Sequence, residues 1–188
     1  MMRAGLLFLA VFAFAVMPAM AASVGQYVPQ TQPTQAERQA ELLIAQGIGA
    51  ARAGQAPDAP KLGSDDALVD IARLRSQAMA GGAPLSHVDA KGRFIAGDMM
   101  QAHYGPKGAF GENIGEAYDS RGFDPQGFAK QMVEGWMNSP GHRKNILSPD
   151  FTMSGIGVAV RDGHAFVTQV FYGPGASAPA KISAKPKS

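Results

Sequence analysis

A chain of 188 residues without one cysteine has no disulfide to restrain its unfolded state, so its stability must come from core packing. The constraint is sharp because the chain opens like an exported protein, and small exported domains commonly lean on disulfides. Arg3 precedes an unbroken apolar run from Leu6 to Val16, and Ala19-Met20-Ala21 offers a small-x-small cleavage site. That run is too short for a bilayer core, which needs about 20 residues, and Pro18 interrupts any longer helix. Residues 1–21 are therefore expected to be a signal peptide. Cleavage would leave no transmembrane anchor and a protein in the periplasm or the extracellular medium. The missing cysteines also exclude thiolate metal ligands, cysteine nucleophiles and lipid attachment through an N-terminal cysteine.

Composition narrows the classes further. A hydrophobic fraction of 46% is too high for wholesale disorder. Seventeen basic against 15 acidic residues give a net charge of +2, which supplies no dense basic face, so no nucleic-acid partner is expected. Residues 22–35 are polar and rich in Gln and Pro and read as a linker. Residues 174–188 read as a disordered tail whose only charges are Lys181, Lys185 and Lys187. One domain is expected between them, over 36–173.

Within that span the helix signals are strong. Thr34-Gln35-Ala36-Glu37 is a capping box, opening a helix that should stop at Gly54. Ser64 ahead of Asp65 and Asp66 opens a second, with Leu68, Ile71, Ala72, Arg75 and Met79 at helical spacing and Gly81-Gly82 at its end. Residues 94–104 suit a shorter helix. Asp124-Pro125 and Ser139-Pro140 each place a capping residue before a proline at the first helical position. Phe128, Met132, Val133 and Trp136 form one apolar stripe between them. A hairpin closes the domain: residues 155–160 and 165–172 are rich in Val, Ile and Phe, and Asp162-Gly163 suits a type I′ turn. Helices first and a hairpin last predict an α+β fold.

No H-E-x-x-H, G-x-S-x-G or Walker loop occurs. What does occur is an ordered set: Ser86-His87-Val88-Asp89, then Gly111-Glu112-Asn113-Ile114-Gly115, then the run from Trp136 to Leu147 (WMNSPGHRKNIL), then Gly155-Ile156-Gly157-Val158-Ala159 and Thr168-Gln169-Val170-Phe171. From about Glu41 to Tyr172 the chain resembles a bacterial member of the CAP superfamily, also called the SCP domain. The resemblance implies an α-β-α sandwich with a central antiparallel sheet and an open cleft lined by two histidines and nearby glutamates. Carried over, the metal-binding histidines are His87 and His142, and the glutamate of the GENI element is Glu112. The family's second glutamate falls on Ser139 here. Glu134 is the nearest carboxylate but points away from the apolar stripe, so Glu134 and Ser139 are both weighed as cleft residues. An asparagine common in the family is Gly49 here, ahead of Arg52.

Two neutral imidazoles make a weak, open site for a divalent cation such as zinc, with Glu112 either ligating or orienting a histidine. His142 falls in the first turn of its helix, where the macrodipole disfavours the imidazolium. His103 and His164 are given no site role, Asn113 is read as structural, and Trp136 with Met79, Met99, Met100 and Met132 as core filling. Three functions remain open: an exported binding module for a cell-wall, glycan or lipid ligand of the envelope; a metal-dependent hydrolase using Glu112 as general base; and a carrier of hydrophobic ligands, lipid or sterol, in a groove away from the histidines. The chain is expected to be monomeric.

Overall fold

The computed structural model describes residues 29–175. The expected signal peptide, half of the linker and most of the tail lie outside the described residues. Five helices and three strands follow in the order α1 (Gln35–Gln55), α2 (Asp66–Ala80), α3 (Ile95–Tyr104), β1 (Ala109–Tyr118), α4 (Pro125–Asn138), α5 (Pro140–Leu147), β2 (Met153–Arg161) and β3 (His164–Gly173). The strands form one antiparallel sheet in the order β1-β3-β2. Helices α2 and α3 cover one face, and α1, α4 and α5 cover the other. This is the expected α-β-α sandwich, an α+β fold.

The start of α1 shows how a local signal is reused by the tertiary structure. Thr34 Oγ1 accepts the Glu37 N–H at 3.2 Å, and Glu37 Oε2 accepts the Thr34 N–H at 2.6 Å, completing the capping box. The other Glu37 oxygen accepts the N–H of Val160 on β2 at 2.8 Å. One turn on, Glu41 Oε1 accepts the N–H of Val158 at 3.1 Å. β2 is an edge strand, and these two carboxylates close part of its open hydrogen-bonding side. Ala40, Ile44, Ile48 and Arg52 continue at four-residue spacing down the buried face of α1.

Gly54 does not end α1, which runs one residue further to Gln55. Arg52 holds the last turn in place. Its guanidinium donates to the carbonyls of Pro60 at 2.8 Å, Ile146 at 2.6 Å and Phe151 at 2.9 Å. Three fixed bonds outweigh the roughly 1 kcal/mol that glycine costs a helix relative to alanine. At α2 the N-cap is Asp65, one residue later than Ser64. Its carboxylate accepts the N–H groups of Ala67 and Leu68 and also the Tyr104 hydroxyl at 2.7 Å, a link to α3 that Ser64 could not make. The hairpin turn has Asp162 at φ 52° and Gly163 at φ 81°, as a type I′ turn requires.

Alternation along the sheet divides its residues cleanly. Ile156, Val158, Val167 and Phe171 face the α1–α4–α5 layer and join Ile44, Phe128, Met132 and Trp136 in the larger core. On the other face Val170 packs among Leu68, Ile71, Ala72, Ala96 and Met100. There α2 lies directly on β2. A Cβ at Gly155 would sit 2.2 Å from the Leu68 carbonyl carbon, and one at Gly157 would sit 2.2 Å from the Arg73 nitrogen. The Ser76 hydroxyl uses this closeness to bond the Gly157 carbonyl at 2.8 Å. The Gly-Ile-Gly motif is thus a packing device for a helix backbone against a strand.

Gly157→Ala is expected to force α2 away from β2, at a cost of about 2–3 kcal/mol. Its thermal midpoint should fall by roughly 5–10 °C in circular dichroism. Gly49→Ala is the control: a Cβ there meets nothing within 4 Å, and the gain in helix propensity should hold or raise the midpoint.

Candidate functional site

Three segments that are remote in sequence meet at one open cavity of about 380 Å³. The loop after α2 brings His87 and Phe94, β1 brings Phe110, Gly111 and Glu112, and the start of α5 brings Ser139, Gly141, His142 and Asn145. The architecture of the strand explains the position of Glu112. It lies on the α2 face of β1, where the carboxylate is buried under the helix layer.

A buried carboxylate requires partners, and Glu112 has one for each oxygen. Arg75 of α2 donates from Nε to Oε1 at 2.9 Å, and His87 donates from Nδ1 to Oε2 at 2.7 Å. Arg75 is itself buried, and its Nη2 reaches the Ser86 carbonyl at 2.6 Å. One ion pair therefore anchors two adjacent residues of the loop, Ser86 through its carbonyl and His87 through its ring. With Nδ1 committed to the carboxylate, Nε2 is the ring atom that remains for a ligand. The His87 side chain is 46% exposed.

Asn113 and Asn145 set the position of α5. Asn113 Nδ2 donates to the His142 carbonyl at 3.2 Å, and Asn145 Nδ2 donates to Asn113 Oδ1 at 2.9 Å and to the Glu112 carbonyl at 3.2 Å. Trp136 Nε1 donates to the Ile114 carbonyl at 3.2 Å, which ties the end of α4 to the same strand. The His142 ring lies with its centroid 6.3 Å from that of Trp136. Burial holds its pKa below the usual histidine range, and the neighbouring His87 lowers it further. The direction is the one expected from the helix terminus, but the cause is desolvation.

Ser139 is the N-cap residue of α5 by backbone geometry, yet its hydroxyl makes no capping bond and the residue lines the cavity. Glu134 does not line it. That side chain is 61% exposed on the outer face of α4, 4.0 Å from Lys130. His164 pairs with Glu116 at 2.6 Å near the hairpin turn, and His103 stacks edge-on against Tyr104. Arg75 is the site residue whose role pattern reading missed. The signal was present, because a guanidinium at a core position of an apolar helix stripe calls for a buried acid.

The donor set fits a cation only as an open arrangement of two imidazoles oriented from behind by Glu112. Both carboxylate oxygens are already bonded, and no group of three or more His, Cys, Asp or Glu side chains is gathered for a metal among the described residues. Ser139 supplies a neutral hydroxyl where the family pattern has a carboxylate. No helix among the described residues is long and apolar enough to cross a membrane.

Comparison with known proteins places this architecture. The chain is 41% identical over 76 residues to the Bacillus subtilis protein YkwD, a match covering 40% of this chain and 26% of that protein. It is 34% identical over 98 residues to the Bacillus subtilis membrane protein YlbC, covering 52% of this chain and 26% of that one. These matches span about a quarter of each relative's length. Among solved structures, an extracellular SCP-domain protein from Bacillus anthracis aligns with a TM-score of 0.54 and 31% identity, covering 76% of this chain and 45% of that one. An outer surface protein from Borrelia burgdorferi aligns with a TM-score of 0.61 at 14% identity, covering 76% of this chain and 98% of that one. Its likeness is one of fold. The model of the CAP, or cysteine-rich secretory protein, family matches residues 38–171, and this cysteine-free chain belongs to that family.

Proposed function

We propose that this protein is an exported binding module that holds an extracellular or cell-envelope ligand in the cleft between His87 and His142. The engagement of Glu112 carries this reading over the hydrolase alternative. A general base must reach the proton it removes, whereas the Glu112 carboxylate is fully buried, with one oxygen held by Arg75 and the other by His87. Ser139, Asn145 and the two imidazoles leave the cleft neutral and rich in hydrogen-bonding groups, which suits hydroxyl-bearing or weakly anionic ligands. Export is supported by the pattern of residues 1–21 and agrees with the extracellular description of the Bacillus anthracis relative.

A divalent cation such as zinc would be held by Nε2 of His87 and the ring of His142, and would supply positive charge with open positions for ligand oxygens. Glu112 orients His87 and fixes its tautomer. Protons compete for both rings. Burial and the neighbouring His87 hold the pKa of His142 below the usual histidine range, so protons displace a cation from that ring only at a lower pH than an ordinary histidine would require.

Calorimetric titration with zinc should therefore show binding at pH 7.5 that weakens by about tenfold to a hundredfold at pH 5.5. Equal affinity at the two values would remove the histidines as ligands. His87→Ala should abolish measurable zinc binding and, by leaving the buried Oε2 of Glu112 without its partner, lower the thermal midpoint by roughly 3–10 °C. For the hydrolase, the deciding result is turnover of a protein, nucleic-acid or wall substrate that is lost with chelator and in Glu112→Ala.

A further inference from the structure

A second cavity, of about 900 Å³, lies away from the histidines and shares no lining residue with the first. Its walls are α1, the segment 57–64, the start of α2 and the outer edge of β2. Leu42, Ile48, Leu62 and Ile156 make it apolar, and Leu42 is 58% exposed. Gly49, where the family pattern has an asparagine, gives it room: a Cβ there would meet nothing within 4 Å.

Two polar groups in this wall lack partners among the described residues. Along the edge of β2, Ser154 N–H bonds the Gly63 carbonyl at 2.9 Å, and Val158 and Val160 bond Glu41 and Glu37. Strand alternation turns the N–H of Ile156 to the same side, between Gly63 and Glu41. No group among the described residues accepts it. Gln169, the cross-strand partner of Ile156, is fully buried and reaches beneath β2 to donate from Nε2 to Ser154 Oγ at 3.0 Å. Its Oε1 has no partner. Turning the amide over moves the deficit to the nitrogen and does not remove it.

We propose that this groove docks an extended peptide segment of a partner protein, laid along the edge of β2. In an extended chain the N–H and C=O of one residue point to the same side, so that carbonyl can take the Ile156 N–H while the N–H beside it serves Gln169. An alkyl chain would leave both unpaired, at the cost that buried unsatisfied groups carry. Alternate side chains of the peptide would enter the apolar floor. Charge selects its character. Arg38 and Lys61 are exposed at the rim with no carboxylate partner among the described residues, while the Glu41 carboxylate is taken by Arg73 at 2.6 Å. The fitting segment alternates apolar and acidic residues.

The test uses the mature chain and fluorescence anisotropy with a fluorescein-labelled hexapeptide of alternating valine and glutamate. Saturable binding is expected, weakened about tenfold by the same peptide with N-methylated valines, by Gly49→Phe, and by the paired charge reversal Arg38→Glu/Lys61→Glu. His87→Ala should bind the peptide as the parent does, so this result stands apart from the metal cleft. The charge reversal touches only exposed side chains and covers the case in which Gly49→Phe perturbs α1. Absence of binding, equal binding by the N-methylated peptide, or affinity unchanged in both variants would overturn the proposal. So would uptake of palmitate by a groove that takes no peptide.

Discussion

The buried ion pair between Arg75 and Glu112 is the interaction on which the cleft depends. Each charge loses several kcal/mol of hydration when removed from water, and the pair offsets this only if its remaining hydrogen bonds are met. Both are met here, by the Ser86 carbonyl for Arg75 and by the His87 ring for Glu112. The same bonds that make the pair tolerable therefore hold the loop and aim the imidazole. Taking away one partner would strand a charge inside the domain, which typically costs about 3–5 kcal/mol. Stability and site geometry are coupled at this point, and a carboxylate so committed serves as an orienting group.

A cysteine-free domain needs its layers tied together by other means. Four buried charged side chains of α1 and α2 do much of this, mainly through backbone groups. Glu37 and Glu41 close the edge of β2, Arg52 gathers carbonyls from three later segments, and Arg75 secures Ser86. Such bonds run between parts of the chain about a hundred residues apart, as with Arg52 and Phe151. They complement the apolar core by leaving few backbone groups unmet as helix and strand come together. The glycines of β2 work in the same sense, since a side chain at either would hold α2 off the sheet.

Against this closed construction, the two cavities stand out for what they leave open. In the cleft, Ser139 stands beside His87 and His142 in the lining in place of a carboxylate, so negative charge is scarce there. In the groove, the edge of β2 is closed on both sides of Ile156 and open at Ile156 itself. One opening offers imidazole and hydroxyl chemistry, the other an unfinished strand edge. They are separate surfaces on one small domain.

Local signals were legible wherever short-range chemistry decides the outcome. The Thr34 capping box, the Asp-Pro start of α4, the hairpin turn at Asp162-Gly163 and the apolar stripes of the helices each depend on residues within a turn or two of one another. β1 was not legible as a strand from pattern alone, because Gly111, Gly115, Glu112, Asn113 and Glu116 give it weak β-propensity; pairing with β3 along its whole length overrides that. The shift of the α2 cap to Asp65, the passage of α1 through Gly54 and the exclusion of Glu134 from the cleft have the same origin: Tyr104, the carbonyls around Arg52 and the outward face of α4 are facts of three dimensions. Sequence by itself determined the five helices, the closing hairpin and their order, since periodicity, caps and turn residues are written along the chain. Tertiary structure alone decided which charges meet, because burial makes a lone carboxylate or guanidinium too costly to leave unpaired, and the partner that satisfies it can lie anywhere in the chain.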